Sequence, residues 1–283
     1  VDSVLDFLKK KNVNNRDLLI IDTDELIYYS KSFQKNILKE QIRFMYITLF
    51  SNFYYWSHYI FNPNVMALDQ NFKAEPSIKK FLGPEYFILD DSFKKIKPNI
   101  FHPEKKKWDV LVTFGSADPE NLTIKLLTIL EKYIDVFSKV RIVVGGLNLN
   151  YKIILNLNVI KQYPNIFEVH YDTKNIYDLM KNSDVAISSL GLTFWELLLH
   201  KIPSFVISGS ERERIQLKYF RKYNYCHYLG DFNEKNWQKN WEVRFKEYLN
   251  QKESLNLDSG KLYELVNVNG KTKLVKSIIS DYE

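Results

Sequence analysis

The sequence contains one cysteine, Cys226, among 283 residues. A single thiol excludes an intrachain disulfide and any zinc site built from several thiolates, and it is typical of a reducing compartment. The five histidines are scattered along the chain without the spacing of metal ligands. We therefore expect a cytoplasmic protein that uses neither a metal nor another cofactor.

Long apolar runs and a concentrated basic patch are also missing. No run approaches the ~20 apolar residues of a membrane-spanning helix, and the most aromatic stretch, residues 44–61, is interrupted by Asn52, Ser57 and His58. Lysine and arginine outnumber aspartate and glutamate by 40 to 34, but the excess is spread along the chain. We expect no integral membrane segment and no nucleic acid partner. The sequence opens on Val1 with no signal peptide, so we expect it to be part of a longer chain.

The composition is that of a globular protein, with 45% hydrophobic and 26% charged residues. At ~150 residues per domain, the length predicts roughly two domains. A lysine-rich stretch interrupted by prolines predicts an exposed linker over residues 93–108. We place the linker itself at 96–108, between a first domain at 1–95 and a second domain that begins at 109.

Hydrophobic periodicity in the first domain predicts a mixture of helices and strands. Val4, Leu5 and Leu8 recur at helical spacing. The apolar run 18–21, closed by Asp22, predicts a buried parallel strand. Further predictions are a helix over 24–38 and a short strand over 65–68, and residues 41–61 are compatible with either class.

Strands and helices alternate regularly in the second domain. This alternation predicts an α/β fold with a parallel sheet covered on both faces, and ligands bind such sheets at the carboxyl ends of the strands. The predicted strands are 109–114, 140–144, 166–170, 185–188 and 204–207, and the predicted helices are 121–133, 151–163, 176–182, 194–200 and 215–223.

Two loops between a predicted strand and a predicted helix could bind phosphate. In the first, Gly115, Ser116 and Asp118 precede a helix whose free N–H groups and dipole suit an anion. The local alternative is that Asp118 only caps the helix, with Pro119 at its first position. On local evidence the capping role is favoured.

The second loop combines serine, glycine and threonine between a buried strand and a helix. A carboxylate in the first turn of that helix could accept two ribose hydroxyls while the loop holds phosphates. The alternative, which the local sequence again favours, is that Glu196 only favours the helix dipole and Trp195 is a core residue. Neither loop is a Walker A or complete G-x-G-x-x-G motif. The candidate binding residues here are Ser188, Ser189, Gly191, Thr193 and Glu196.

Together and in this order, the loops resemble motifs of the UDP-sugar hydrolase of the pseudaminic acid pathway and its spore-coat polysaccharide relatives, within the glycosyltransferase-B superfamily. Residues 111–123 resemble the family's Val-Thr-Phe-Gly-Gly-Ser-Asp-Pro-x-Asn-Leu-Thr motif, and 187–198 resemble its Ile-Ser-Ala-Gly-Gly-Ser-Thr-x-x-Glu-Leu motif. Further similar segments are 18–22, 81–89, 174–176 and 268–271.

The sequence also departs from that family. The family's Gly-x-Gly-His-x-x-Arg loop, with the histidine thought to act in catalysis, would precede residue 1, and a tyrosine expected after Asp22 is replaced by Asp24. Ser116, Leu190 and Leu192 stand where the family has Gly, Gly and Ser. The family's Glu-Asn-Gln segment is replaced by Glu-Arg-Glu at 211–213.

The resemblance implies two Rossmann-like domains of glycosyltransferase-B type, the first truncated at its N-terminus. A nucleotide-sugar-binding domain would occupy 109–250, and a helix in the segment 251–283 would cross back to the first domain. It implies UDP on the second domain, with Asn175 near uracil, Glu196 at ribose, and Gly115, Ser116, Gly191 and Thr193 near the pyrophosphate. In the family, water attacks the anomeric carbon and UDP leaves without a metal.

Three functions are compatible with these features. The first is hydrolysis of a UDP-deoxy-acetamido sugar in bacterial surface-glycan or nonulosonic acid biosynthesis. The second is transfer of the sugar to an acceptor by a glycosyltransferase of the same architecture. The third is a catalytically inactive nucleotide-sugar-binding or interaction domain, which the replaced glycines and Asp24 favour. We expect the isolated chain to be weakly active or inactive, because no catalytic base is identified.

Overall fold

A computed structural model describes residues 2–95, 100–222, 226–251, 255 and 266–282 of the chain. The chain divides into two compact units, one formed by Val1–Leu89 with Leu265–Glu283 and the other by Asp90–Glu264. Part of the predicted linker, residues 96–99, and most of 252–265 lie outside the described residues. The C-terminal helix belongs to the first unit.

The described residues form α-helices, parallel strands and short 3-10 helices. The α-helices are α1 (Asp2–Lys10), α2 (Lys31–Lys39), α3 (Leu122–Leu130), α4 (Tyr151–Leu155), α5 (Asn158–Gln162), α6 (Ile176–Lys181), α7 (Leu192–Leu199), α8 (Glu211–Lys222), α9 (Trp237–Asn250) and α10 (Gly270–Ile279). The strands are β1 (Leu18–Asp22), β2 (Arg43–Ile47), β3 (Tyr59–Asn62), β4 (Lys79–Leu82), β5 (Trp108–Thr113), β6 (Phe137–Val144), β7 (Phe167–Tyr171), β8 (Val185–Ser188), β9 (Ser204–Ser208) and β10 (His227–Asp231).

The first unit contains a parallel sheet in the order β1-β2-β3-β4. Leu18 pairs with Arg43, and Tyr59 pairs with both Met45 and Lys79. The strand predicted over 18–21 is confirmed, but the prediction that it is buried is wrong. Because β1 lies at the edge of the sheet, Ile20 is 51% exposed.

Two other predictions in this unit are wrong. The predicted helix 24–38 is interrupted at Ser30, whose extended backbone ends a short 3-10 helix and whose hydroxyl caps α2 by accepting from the Phe33 N–H. Residues 65–68 form a short 3-10 helix and not a strand. Only four apolar residues follow Asn64, and the strand that pairs with β3 is β4. The aromatic stretch 41–61 resolves into β2, a loop and β3.

The second unit contains a parallel sheet in the order β10-β9-β8-β5-β6-β7. Apolar side chains on both faces of these strands are buried, as Val112 and Ile187 show on one face and Leu111 and Ala186 on the other. This burial explains why continuous apolar runs in the sequence predict the strands well. The strand order reverses between β5 and β8, which start the two halves of the sheet.

The stretch predicted as an exposed linker is partly buried at both ends. Phe93 is 2% exposed and contacts the rings of Tyr177 and His200. Trp108 is fully buried at the start of β5. Aromatic side chains therefore anchor the segment to the second unit, although its lysines are largely solvated. Within the described ranges, no helix is long and apolar enough to cross a membrane.

Candidate functional site

The two candidate loops follow neighbouring strands at the point where the sheet order reverses. Thr113 and Ser188, the last residues of β5 and β8, are register partners. Parallel strands therefore deliver both loops to one edge of the sheet, side by side. In open α/β sheets, ligands bind in the crevice formed at this position.

The first loop turns tightly after β5 and exposes its backbone. Gly115 has φ +79°, a conformation that glycine adopts without strain, and a Cβ placed there would meet open space. Residues 115–117 are exposed. Among the described residues, no group accepts a hydrogen bond from their backbone N–H groups. These N–H groups can therefore receive an anion.

Asp118 closes the same loop and caps the next helix. Its Oδ1 accepts from the Leu122 N–H at 2.8 Å and its Oδ2 accepts from the Thr123 N–H at 3.0 Å. Burial raises the pKa of this carboxyl, and these hydrogen bonds lower it in part. Both oxygens are engaged, so the geometry supports the capping alternative for Asp118. The placement of Pro119 at the first helical position is wrong, because α3 begins at Leu122. Two N-terminal donors of α3 are thereby occupied, which leaves the turn 115–117 as the exposed donor group.

The second loop joins β8 to α7. Ser188 and Ser189 are buried, and the Ser188 hydroxyl donates to the Ser189 carbonyl at 3.1 Å. Gly191 is exposed with open space at its Cβ position, and no described side chain caps α7 there. Thr193 is half-buried in the first turn of α7. The exposed start of this helix is a second group of backbone donors.

Glu196 lies one turn inside α7. The helix begins at Leu192, two residues before the predicted start, so Glu196 is outside the first turn and the dipole interpretation is wrong. Burial, with a smaller effect of the nearby Asp90 carboxylate, raises the pKa of Glu196 to about 7. No described residue donates a hydrogen bond to its carboxylate. The companion prediction is confirmed, because Trp195 is 1% exposed.

Asn175 occupies a different place on the same sheet edge. It precedes α6, is exposed, and donates its backbone N–H to the Thr173 hydroxyl at 3.1 Å. It follows β7, the outermost strand, two strands away from β5. The structure therefore brings the two small-residue loops together, and Asn175 lies at the end of the row.

A glycine pair that the sequence analysis did not single out supports the first loop. Gly145 follows β6, and a Cβ there would lie 2.7 Å from the Ser116 carbonyl carbon. The Leu147 N–H donates to the Ser116 carbonyl at 3.2 Å. At Gly146, a Cβ would lie 2.7 Å from the Asp172 carboxylate. The signal was available as adjacent glycines directly after a predicted strand.

The loop after β9 is also fixed by its own side chains. Glu213 accepts from the N–H groups of Gly209 and Ser210 at 2.7 and 3.1 Å, while the Glu213 N–H donates to the Ser210 hydroxyl at 3.3 Å. This reciprocal arrangement is a capping box. The side chains of residues 211 and 212 lie outside the described part of the chain. In that part, no cluster of three or more His, Cys, Asp or Glu side chains has the arrangement of a metal site.

Comparison with known proteins gives two distant relatives, and no family model matches the chain. The uncharacterized protein MJ1062 of Methanocaldococcus jannaschii is 34% identical over 148 residues, which cover 50% of this chain and 30% of that protein. The spore coat polysaccharide biosynthesis protein SpsG of Bacillus subtilis is 27% identical over 138 residues, which cover 49% of this chain and 40% of SpsG. The match spans less than half the length of either relative.

Solved structures resemble the chain over nearly its whole length. MurG of Acinetobacter baumannii has a TM-score of 0.60 at 12% identity, covering 98% of this chain and 76% of MurG. The pneumococcal O-GlcNAc transferase GtfA, solved with UDP and GlcNAc, has a TM-score of 0.54 at 11% identity, covering 98% and 59%. At such identities the likeness establishes the fold alone. The chain has an α/β fold with two Rossmann-like units of glycosyltransferase-B type.

Proposed function

We propose that the second unit binds the UDP moiety of a nucleotide sugar and that the chain acts in sugar transfer to a surface-glycan acceptor. The observation that carries the proposal is the pair of exposed donor loops after β5 and β8, at the reversal of strand order. The backbone N–H groups of residues 115–117 and of Leu192 and Thr193 at the start of α7 have no acceptor among the described residues, and such successive donors suit a diphosphate.

The two loops would act on charge that develops when the sugar leaves. Departure of UDP places negative charge on the diphosphate, and oriented N–H groups at residues 115–117 and at the start of α7 would stabilise it. Gly115 and Gly191 leave space for close approach. Ser116 and Thr193 add hydroxyl donors. The buried residues Ser188, Ser189 and Asp118 would stabilise the conformation of the two loops.

Glu196 is the proposed ribose-binding residue. Its carboxylate has no described donor, and the ribose hydroxyls of UDP would supply two. Hydrogen bonds to the charged form lower a carboxyl pKa, so UDP binding should favour ionised Glu196. Asn175, at the end of the same edge, is the proposed contact for uracil.

The proteins that this chain resembles favour transfer over hydrolysis. GtfA is a transferase solved with UDP and GlcNAc, and SpsG takes part in polysaccharide biosynthesis. Hydrolysis remains the second candidate because residues 111–123 and 187–198 resemble the motifs of the UDP-sugar hydrolase. The replacements at Ser116, Leu190 and Leu192 favour a third, purely binding role; Leu190 is buried and Leu192 is 68% exposed.

The discriminating experiment measures UDP release from a panel of UDP-linked acetamido and deoxy sugars, with and without glycan acceptors. The proposal predicts release that depends on an acceptor, and the isolated chain alone should release UDP slowly or not at all, because a positioned acid or base is worth about 10²–10⁴-fold in rate. Rapid release without an acceptor would support hydrolysis and direct attention to Asp22 and Asp24. UDP binding without release under any condition would support the binding role.

A further inference from the structure

The first unit contains a cavity of about 590 Å³ at the amino ends of β2, β3 and β4. Its wall includes the first residue of each strand, namely Arg43, Tyr59 and Lys79. This edge is opposite to the carboxyl edge at which α/β sheets bind their usual ligands. A cavity of this size falls in the range of small-molecule sites.

The charges around the cavity do not cancel. The cations Lys35, Arg43 and Lys79 outnumber the carboxylates Glu75 and Asp281 by one. Lys79 forms an ion pair with Asp281, whose carboxylate also accepts from the Tyr59 hydroxyl at 2.9 Å. The surroundings of Lys79 are therefore neutralised, and the excess positive charge falls on Arg43 and Lys35.

Among the described residues, no carboxylate lies within ion-pair distance of either cation, although the Arg43 charge helps to lower the pKa of Asp281. Arg43 donates from Nη1 to the Asp281 backbone carbonyl at 2.6 Å, and its guanidinium lies 4.2 Å from the centre of the Tyr282 ring. The Lys35 ammonium lies 5.4 Å from the centre of the Trp56 ring. One negative charge on a ligand would balance this wall.

His58 adds a neutral donor to the same wall. Its Nδ1 accepts from the Phe44 N–H at 3.3 Å, which places the ring proton on Nε2. Burial and the neighbouring Arg43 charge lower the pKa of His58, so the ring is neutral at pH 7. The Nε2–H is consequently the ring's remaining hydrogen-bonding group.

Trp56 supplies the aromatic part of the wall, and its backbone is fixed by a buried side chain. Gln34 accepts from the Trp56 backbone N–H at 2.8 Å and donates to the carbonyls of Tyr29 and Tyr54 at 2.9 and 3.1 Å. The indole contacts the Tyr54 ring at 4.5 Å between ring centres. Trp56 itself is half-buried beside Leu38 and Lys35. An indole next to cations and hydrogen-bonding groups suits a ligand with a ring, hydroxyl groups and an anionic substituent, and not a bare inorganic ion.

We propose that this cavity is a second ligand site, which binds a sugar bearing one anionic group, either a carboxylate or a phosphate. The anion would lie between Lys35 and Arg43. The hydroxyls would exchange hydrogen bonds with His58, Glu75 and Ser77, and the sugar ring would pack on Trp56. The site lies wholly in the first unit and uses none of the residues of the proposed UDP site.

The test is calorimetric titration of the whole chain with glucuronate, glucose 1-phosphate, glucose and inorganic phosphate. We expect at least one of the charged sugars to bind, with glucose and phosphate about tenfold weaker or undetectable. The two charged probes separate a carboxylate site from a phosphate site. Equal binding of glucose and the charged sugars, tighter binding of inorganic phosphate, or no binding by either charged sugar would overturn the proposal.

Matched lysine variants localise the site. Lys35→Glu places a negative charge on the wall, whereas Lys39→Glu changes an exposed lysine on the same helix outside the cavity. Lys35→Glu should weaken binding of the charged sugar about tenfold or more, and Lys39→Glu should change it less than about twofold. Equal losses in both variants would show a general charge effect and contradict the site. UDP affinity should be unchanged in both.

Discussion

Thr113 and Ser188 end adjacent parallel strands as register partners, so the chain enters both candidate loops from the same place on the sheet. The small residues after Thr113 and those after Ser188 are more than 70 positions apart in sequence but follow neighbouring strands. Their proximity is a consequence of topology, since β5 and β8, which start the two halves of the sheet, are hydrogen-bonded neighbours. The account of nucleotide binding depends on this relationship.

Gly115 and Gly191 provide a paired test of backbone conformation. Both have open space at the Cβ position, but only Gly115 has a positive φ. Gly115→Ala should lower the free energy of unfolding by about 1–2 kcal/mol, because a side chain is strained in this conformation. Gly191→Ala should change it by less than about 0.5 kcal/mol. Urea denaturation of both variants measures the difference, and equal losses would show that the turn after β5 is not as described.

Glu196 should make UDP binding depend on pH. Its pKa of about 7 means that the carboxyl is largely protonated at pH 6 and ionised at pH 8, and the ionised form accepts stronger hydrogen bonds. The affinity of the natural chain should therefore rise relative to Glu196→Gln between these pH values, and Glu196→Ala should lose roughly 1–3 kcal/mol of binding free energy at pH 8. Comparing variants by calorimetry cancels the ionisation of UDP itself.

Two outcomes would contradict this role for Glu196. Parallel pH profiles for the natural chain and Glu196→Gln would show that its ionisation does not matter for binding. Unfolding of Glu196→Ala, measured by circular dichroism, would show that the residue is structural. Retained fold with lost affinity is the expected combination.

His200 should make the chain less stable in mild acid. It is fully buried against Phe93 and Tyr177, neither ring nitrogen has a partner among the described residues, and burial lowers its pKa to about 4. The unfolded chain binds this proton below about pH 6.5, whereas the folded chain does not. The contribution of His200 to stability is therefore present above pH 6.5 and lost as the pH falls toward 4.

The variant His200→Leu removes that titration. Its free energy of unfolding should exceed that of the natural chain by more at pH 5 than at pH 8, as measured by urea denaturation. A constant difference between His200→Leu and the natural chain at both pH values would contradict the burial of a neutral ring.

The sequence predicted the second sheet well because its strands are buried on both faces. Apolar runs such as 185–188 stand out against the flanking helices, and the run matches β8 in full. β10 was missed, because the run His-Tyr-Leu-Gly-Asp mixes polar and apolar residues and its pairing to β9 contains a register shift.

The candidate site was predictable only in part. Small residues between a strand and a helix indicate the loops, and Asp118 followed by Pro119 indicates a helix start. The raised pKa of Glu196 could not be predicted, since it arises from tertiary burial and from Asp90, which is distant in sequence. The contact of Gly145 with Ser116 likewise depends on β6 lying beside β5.

The central claim is that the two loops form a diphosphate site, and calorimetric titration of the whole chain with UDP and with UMP tests it most directly. UDP should bind at least about tenfold more tightly than UMP. The reason is that a diphosphate can contact both groups of N–H donors, whereas a single phosphate cannot. Equal affinities for the two nucleotides, or no detectable binding of either, would contradict the account.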